Sequence, residues 1–180
     1  SMTREKLAAC SDTYGDKTTI VSKLDKAKKL ALDLGEGSDL LADAKQLGET
    51  LLPHTAKSGH NRINHDLQIL SQDYNEVGHQ VTSAENNLQS CLQCWNEFDI
   101  AQDRFALWLT ETSKTLKLDR ELKANLQQKD SALSQQQSQH EELLSHQSNM
   151  DEVSRLAQAL LEVNSDARVS HAVTQLSTRY

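Results

Sequence analysis

From residue 60 to residue 116 the apolar positions alternate in steps of three and four. The run is Ile63, Leu67, Leu70, Tyr74, Val77, Val81, Ala84, Leu88, Cys91, Trp95, Phe98, Gln102, Phe105, Leu109, Thr112 and Leu116, in which only Gln102 and Thr112 are polar. Such a seam predicts one amphipathic helix that packs along its whole length. At 1.5 Å per residue, its 57 residues reach roughly 85 Å, which calls for an elongated architecture. Residues 16–52 predict an earlier helix, with Leu24, Leu30, Leu34, Leu41, Leu47 and Leu51 as its stripe. Gly35-Glu36-Gly37 predicts a kink or short break in it, because an interior glycine costs roughly 1 kcal/mol. Pro53 opens a loop that Gly59 closes.

Residues 119–163 predict a third helix with Leu122, Leu126, Leu133, Leu143, Met150, Val153, Leu156 and Leu160. Its glutamine-rich middle reads as solvated helix, with Lys129, Gln136, His140 and Gln147 expected to point inward, so its core should be weak. A turn at 163–166 offers Ser165 or Asp166 as N-cap, and a last helix runs from 166 to 180. The fold class is therefore all-α.

The last helix copies an earlier stretch. Val169, Val173, Leu176 and Tyr180 each stand 106 after Ile63, Leu67, Leu70 and Tyr74, while Leu156, Leu160 and Leu161 stand 109 after Leu47, Leu51 and Leu52. A period near 106 with helix–loop–helix content indicates a repeat array. All four large aromatics other than tyrosine fall between 95 and 108: Trp95, Phe98, Phe105 and Trp108. With Tyr74 and Tyr180 they are the expected structural core. A ligand pocket built from the same rings is the competing reading, and the seam already accounts for them by packing.

The period, the segment Trp95-x-x-Phe98-Asp99 and the segment Phe105-x-x-Trp108-Leu109 resemble spectrin repeats. The resemblance covers essentially the whole chain, though its motifs are loose. It implies left-handed three-helix bundles in tandem, joined by one long continuous helix in which helix C of one repeat becomes helix A of the next. Trp108 matches the family's helix A tryptophan. Tyr74 and Tyr180 stand where helix C usually has tryptophan, which marks a divergent subfamily. On this frame residues 1–94 are a repeat lacking most of helix A (helix B 16–52, helix C 60–94). Residues 95–180 are the next (helix A 95–117, helix B 119–163, start of helix C 166–180). Both ends are expected to lie inside repeats, leaving faces open to self-association. The phrases GEGSDLL…GETLLP and LQSCLQCWNEFD look most like the nesprins, with dystrophin-like and plakin-like rods as alternatives. The nesprin resemblance implies cytoskeleton-to-nucleus linkage on the cytoplasmic face of the nuclear envelope. It also implies partners among cytoskeletal and scaffold proteins, a formin or other actin regulator included.

Charge and candidate chemistry narrow this further. The net charge of −7 is spread evenly: residues 1–90 hold 10 Lys+Arg against 13 Asp+Glu, and residues 91–180 hold 9 against 13. No basic face suits a phosphate backbone, so nucleic acid and anionic membrane are not expected partners. No run of about 18 apolar residues spans a membrane. Ser1-Met2 reads as a trace of expression. Cys91 and Cys94 form a CxxC by spacing, but within a helical period and without a second pair, so reduced thiols are expected. His140-Glu141-Glu142 begins like a zinc HExxH, with Leu144 in place of the second histidine. No glycine-rich loop or nucleophile turn is present. No cofactor, metal or catalysis is expected. Apolar positions off the seam, Ile69, Ile100 and Leu107, are candidate docking residues, against covering by neighbouring helices. A self-contained helical adaptor or lipid-binding bundle is the alternative from another class.

Overall fold

The computed structural model describes residues 2–118 and 125–180, and every regular element among them is helical. The elements are α1 (Met2–Ala8), α2 (Lys17–Leu51), a 3-10 turn (Leu52–His54), α3 (Lys57–Leu118), α4 (Leu126–Ser145), α5 (Gln147–Val163) and α6 (Ala167–Arg179). The chain divides into two units, Ser1–Leu92 and Gln93–Tyr180, and the division falls within α3.

In the first unit Asp16 caps α2, its side chain accepting from the Thr19 amide at 2.8 Å. That satisfies one of the donors a helix start leaves without an intrahelical partner. Asp12 and the carbonyl of Tyr14 both accept from Lys23 Nζ, tying the α1–α2 connection to the helix that follows. The core is built from Leu7 and Cys10, from Ile20, Leu24, Ala27 and Leu30 on α2, and from Val77, Val81, Ala84, Leu88 and Cys91 on α3. These recur every three or four residues, so each helix turns one stripe inward. Burial fades along the other halves of both long helices, where Leu40, Leu47, Leu51, Ile69 and Leu70 are exposed.

The short break expected as one alternative at Gly35–Gly37 and the loop expected after Pro53 are not as read from the sequence. α2 runs through Gly35 and Gly37 without a break. The packing of α3 against it there outweighs glycine's propensity cost, since Tyr74 crosses from α3 to bond at Leu34. The loop expected between Pro53 and Gly59 is shorter than that. Leu52–His54 forms a 3-10 turn and α3 has begun by Lys57, with Gly59 inside its first turn.

In the second unit the core comprises Trp95, Phe98, Phe105 and Leu109 on α3, Met150, Val153, Leu156, Ala157 and Leu160 on α5, and Val169 and Leu176 on α6. Asn125 caps α4 by accepting from the Gln128 amide at 2.8 Å. Asp166, rather than Ser165, caps α6 by accepting from the Arg168 amide at 2.9 Å. Buried Asn164 accepts from the Asp166 amide at 3.0 Å and so shapes the turn before it.

The single helix expected over 119–163 is two helices, with residues 119–124 and Leu122 outside the described residues. α4 and α5 meet at His146, whose amide is shared between the carbonyls of Glu142 and Leu143. Ser145 Oγ also donates to Glu142 O at 2.7 Å, and Ser148 Oγ to Ser145 O at 3.3 Å. Side-chain hydroxyls competing for carbonyls in one turn distort a helix at that turn. The inward face of α4 also differs from the expected one. Lys129, Gln136, His140 and Gln147 are exposed, as are Leu126, Leu133 and Leu144. The half-buried positions are Ala132, Gln139, Leu143 and His146, and they lead into buried Met150, Val153, Ala157 and Leu160.

Candidate functional site

Each unit is closed by a tyrosine from its last helix that reaches the backbone of its middle one. In the first unit Tyr74 Oη donates to the Leu34 carbonyl at 2.6 Å. In the second, Tyr180 Oη donates to the Leu143 carbonyl at 2.6 Å. The donors are 106 apart and the acceptors 109 apart, the two offsets already present in the apolar pattern. A helix carbonyl has a second lone pair to offer, so the bond forms without breaking the helical ladder. A Cβ on Gly37 would lie 3.4 Å from Tyr74 Cε2, so the residue without a side chain gives the ring room against α2.

A second pair of contacts follows the same offset. Arg4 meets Asp73 at 3.3 Å in the first unit, and Arg179 meets Thr110 Oγ1 at 3.0 Å in the second. Thr110 lies 106 after Arg4, and Arg179 lies 106 after Asp73. This places α1 in the register of residues 108–114. The helix caps agree: Asp16 and Asn125 stand 109 apart and each accepts from the amide three residues on.

Around the second tyrosine the rings form a cluster. Phe105 and Trp108 stack with centroids 5.5 Å apart, and Tyr180 tilts against Phe105 at 5.7 Å. Trp108 lies on the His146 ring at 3.9 Å with 14° between planes, which fixes the α4–α5 joint against α3. Its indole N–H donates to Glu142 at 3.4 Å. Phe98 and Phe105 are fully buried and Trp95 is buried, whereas Trp108, Tyr74 and Tyr180 are half-buried, each with its polar atom bonded at the edge. Trp95 Nε1 is buried with no hydrogen-bond partner among the described residues, which typically costs about 1–3 kcal/mol.

The three candidate docking residues, Ile69, Ile100 and Leu107, are all exposed, and no helix among the described residues covers them. Ile100 and Leu107 are seven apart on α3 and so share a face. Ile69 belongs to the first unit. Reading the chain by apolar pattern alone missed a larger set: Leu40, Leu47 and Leu51 on α2, Leu70 on α3, and Leu126, Leu133 and Leu144 on α4. Several of these count as core by spacing, and spacing carries no sign of whether a third helix lies over them.

The titratable groups are arranged structurally. Burial pushes the Cys10 thiol above its ordinary value, partly opposed by Lys26 and Lys23. The Asp12 carboxyl lies below the usual carboxylate range because Lys23, then the Tyr14 amide, donates to it. Cys10, Cys91 and Cys94 are free thiols, the first two buried. Among the described residues no three of His, Cys, Asp and Glu gather in a metal-binding group, and no helix is long and apolar enough to cross a membrane.

No protein-family model matches the chain, and no solved structure matches it significantly. It is similar to a protein of Drosophila melanogaster. That relative is Muscle-specific protein 300 kDa, 28% identical over 177 residues. The similarity covers 98% of this chain and 1% of the relative, so the chain spans about one hundredth of the length of the curated protein it matches.

Proposed function

We propose that this chain is a non-catalytic segment of a long helical linker. On this reading residues 1–94 and 95–180 are spectrin-like three-helix bundles in tandem, sharing α3 as a common helix. The segment sets a distance, carries load along that helix and offers its surface to partners. The matched clasps carry the reading. Tyr74–Leu34 with Arg4–Asp73, and Tyr180–Leu143 with Arg179–Thr110, repeat one contact set at offsets of 106 and 109. A repeat that reproduces side-chain contacts, and not merely hydropathy, is what a solenoid-like array requires. Two further observations support it: α3 is unbroken from Lys57 to Leu118, and the similarity to a far larger protein extends along 98% of the chain.

Small-angle scattering tests the architecture. The 57-residue apolar seam, at 1.5 Å per residue, sets a rod of roughly 85 Å or more as the expected particle. A compact profile overturns the reading and leaves the self-contained adaptor in its place. The finer reading is a nesprin-like linker on the cytoplasmic side of the nuclear envelope that engages cytoskeletal or scaffold proteins, an actin regulator such as a formin among them. It rests on the GEGSDLL…GETLLP and LQSCLQCWNEFD resemblance. A tagged full-length protein that stays away from the nuclear rim rejects it. The exposed pair Ile100 and Leu107 is the proposed partner face of the second unit. If Leu107→Asp leaves recovery of every cytoskeletal partner unchanged, that assignment fails.

A further inference from the structure

An even balance of charge between the halves of the chain conceals a local surplus. Residues 1–30 hold 7 Lys+Arg against 4 Asp+Glu, whereas residues 31–180 hold 12 against 22. Two of the cations in the first stretch are already engaged. Lys23 donates to Asp12 and to the Tyr14 carbonyl, and Lys6 lies 4.0 Å from Asp33. Lys26 and Lys29 are exposed, and no carboxylate among the described residues pairs with either.

These two lysines line a recess of about 340 Å³ within the first unit, between the end of α1 and α2. Lys6 and Ala9 form one wall, and Lys26, Lys29, Leu30 and Asp33 form the other. Residues spaced 26, 29, 30 and 33 share one helix face. Leu30 is buried and makes the floor. The lysine stems lay methylenes over the walls while their ammonium heads stay in water, so the recess is apolar inside and cationic at its rim. Both walls continue past it, α1 back to Met2 and α2 on to Leu51. The second unit does not repeat these residues. At the offset of 109, Lys26, Lys29 and Leu30 correspond to Gln135, Ser138 and Gln139, and at 106 Lys6 and Ala9 correspond to Thr112 and Thr115. The tyrosine clasps recur in both units, but the lysines and the apolar floor do not, so the bundle does not need them to form.

We propose that this recess docks an acidic segment of a protein partner. One large apolar side chain of that segment enters over Leu30 and Ala9, and flanking carboxylates reach Lys26 and Lys29. A concave apolar site with a few charged groups at its edge is the usual form of a small binding pocket. Two ammonium groups without ion-pair partners meet a carboxylate without first breaking a bond inside the chain. The acidic remainder of the chain repels an acidic partner, so the local surplus of cations steers it to this end of α2. Exposed ion pairs contribute little each, so the apolar anchor supplies affinity and the lysines choose the place. The recess lies wholly in the first unit, and the proposal goes beyond the rod. A compact scattering profile with peptide binding intact would overturn the rod alone.

The test uses the whole chain and a fluorescein-labelled peptide of sequence GEEFEEG, followed by anisotropy at low salt. Saturable binding is expected, weakened at least fivefold by Lys26→Glu with Lys29→Glu, and weakened as much by Ala9→Trp, which fills the recess and keeps every lysine. Lys45→Glu with Lys57→Glu changes the net charge equally and should leave binding within twofold. All five positions are exposed, so circular dichroism of each variant should match that of the unaltered chain. A peptide with glycine for phenylalanine should bind at least threefold more weakly, and added salt should weaken the parent peptide as it screens the charges. Absence of saturable binding overturns the proposal, as does equal weakening by the two lysine pairs or indifference to Ala9→Trp. So does binding to vesicles of phosphatidylserine and phosphatidylcholine that depends on Lys26 and Lys29 while the peptide does not bind, which would give the recess to a membrane surface.

Discussion

Replacing Leu160 and Leu51 separately by alanine tests whether equivalence in sequence conceals a difference in packing. The two leucines stand 109 apart at the same place in their units, with exposures of 0% and 54%. Leu160 lies among Val153, Leu156 and Ala157 of its own helix and the α3 and α6 stripes. Truncating a buried leucine loses the transfer free energy of the removed carbons and leaves a cavity, together about 3 kcal/mol in a range of 2.7–5.0. Leu51 loses less than half of that transfer contribution and leaves no enclosed void, so its cost should stay below about 1 kcal/mol. Both tryptophans belong to the second unit, so their fluorescence reports on it while far-ultraviolet circular dichroism reports on the whole chain. With a urea m-value of about 1.5 kcal/mol/M, Leu160→Ala should lower the fluorescence midpoint by about 2 M. Leu51→Ala lies in the first unit, so its effect is read by circular dichroism, whose midpoint should move by less than about 0.7 M on the same scale. Equal shifts from the two variants would refute the reasoning, because Leu51 would then be covered to the same degree as Leu160.

Three further outcomes follow from the geometry. His146→Ala removes the ring on which Trp108 lies and should cost the second unit about 0.5–1.5 kcal/mol, with loss of near-ultraviolet circular dichroism, whereas His146→Phe should keep most of both. Gly35→Ala should stabilise the first unit by about 0.5–1 kcal/mol in urea, because a Cβ there meets nothing within 4 Å and α2 is already helical; destabilisation would mean that α2 does bend at this point. The depressed Asp12 carboxyl contributes stability that is present above the unfolded aspartate value near 3.9 and is lost as pH falls through the lower folded value. Asp12→Asn should therefore flatten the acid limb of stability as pH falls below about 4, by less than about 1 kcal/mol since the pair is partly solvated.

Some of this architecture is written plainly in the residues. The three-four alternation of α3 is legible because nearly every seam position from Ile63 to Leu109 is apolar, and a long run of agreement leaves one period standing. The 106 spacing of Tyr74 and Tyr180 is legible for the same reason. What each tyrosine bonds is not, because its acceptor is a backbone carbonyl, which every residue carries. The Arg4–Asp73 and Thr110–Arg179 contacts are hidden in another way. They join equivalent positions through different side chains, so an alignment by residue type passes over them. Gly35 and Gly37 mislead because propensity is worth about 1 kcal/mol per residue, and the packing that brings Tyr74 to Leu34 can exceed it.

α4 shows where pattern reading has no purchase. It buries no residue, so leucine has no stronger claim than glutamine to its inner face. Leu126, Leu133 and Leu144 point to water while Ala132 and Gln139 are the half-covered positions. The exposed leucines of the first unit carry the same lesson further. Leu47 and Leu156 are the same residue at places 109 apart in successive units, yet Leu47 is exposed and Leu156 is buried. Apolar spacing specifies that a face is fit to be covered, and it is silent on what covers it.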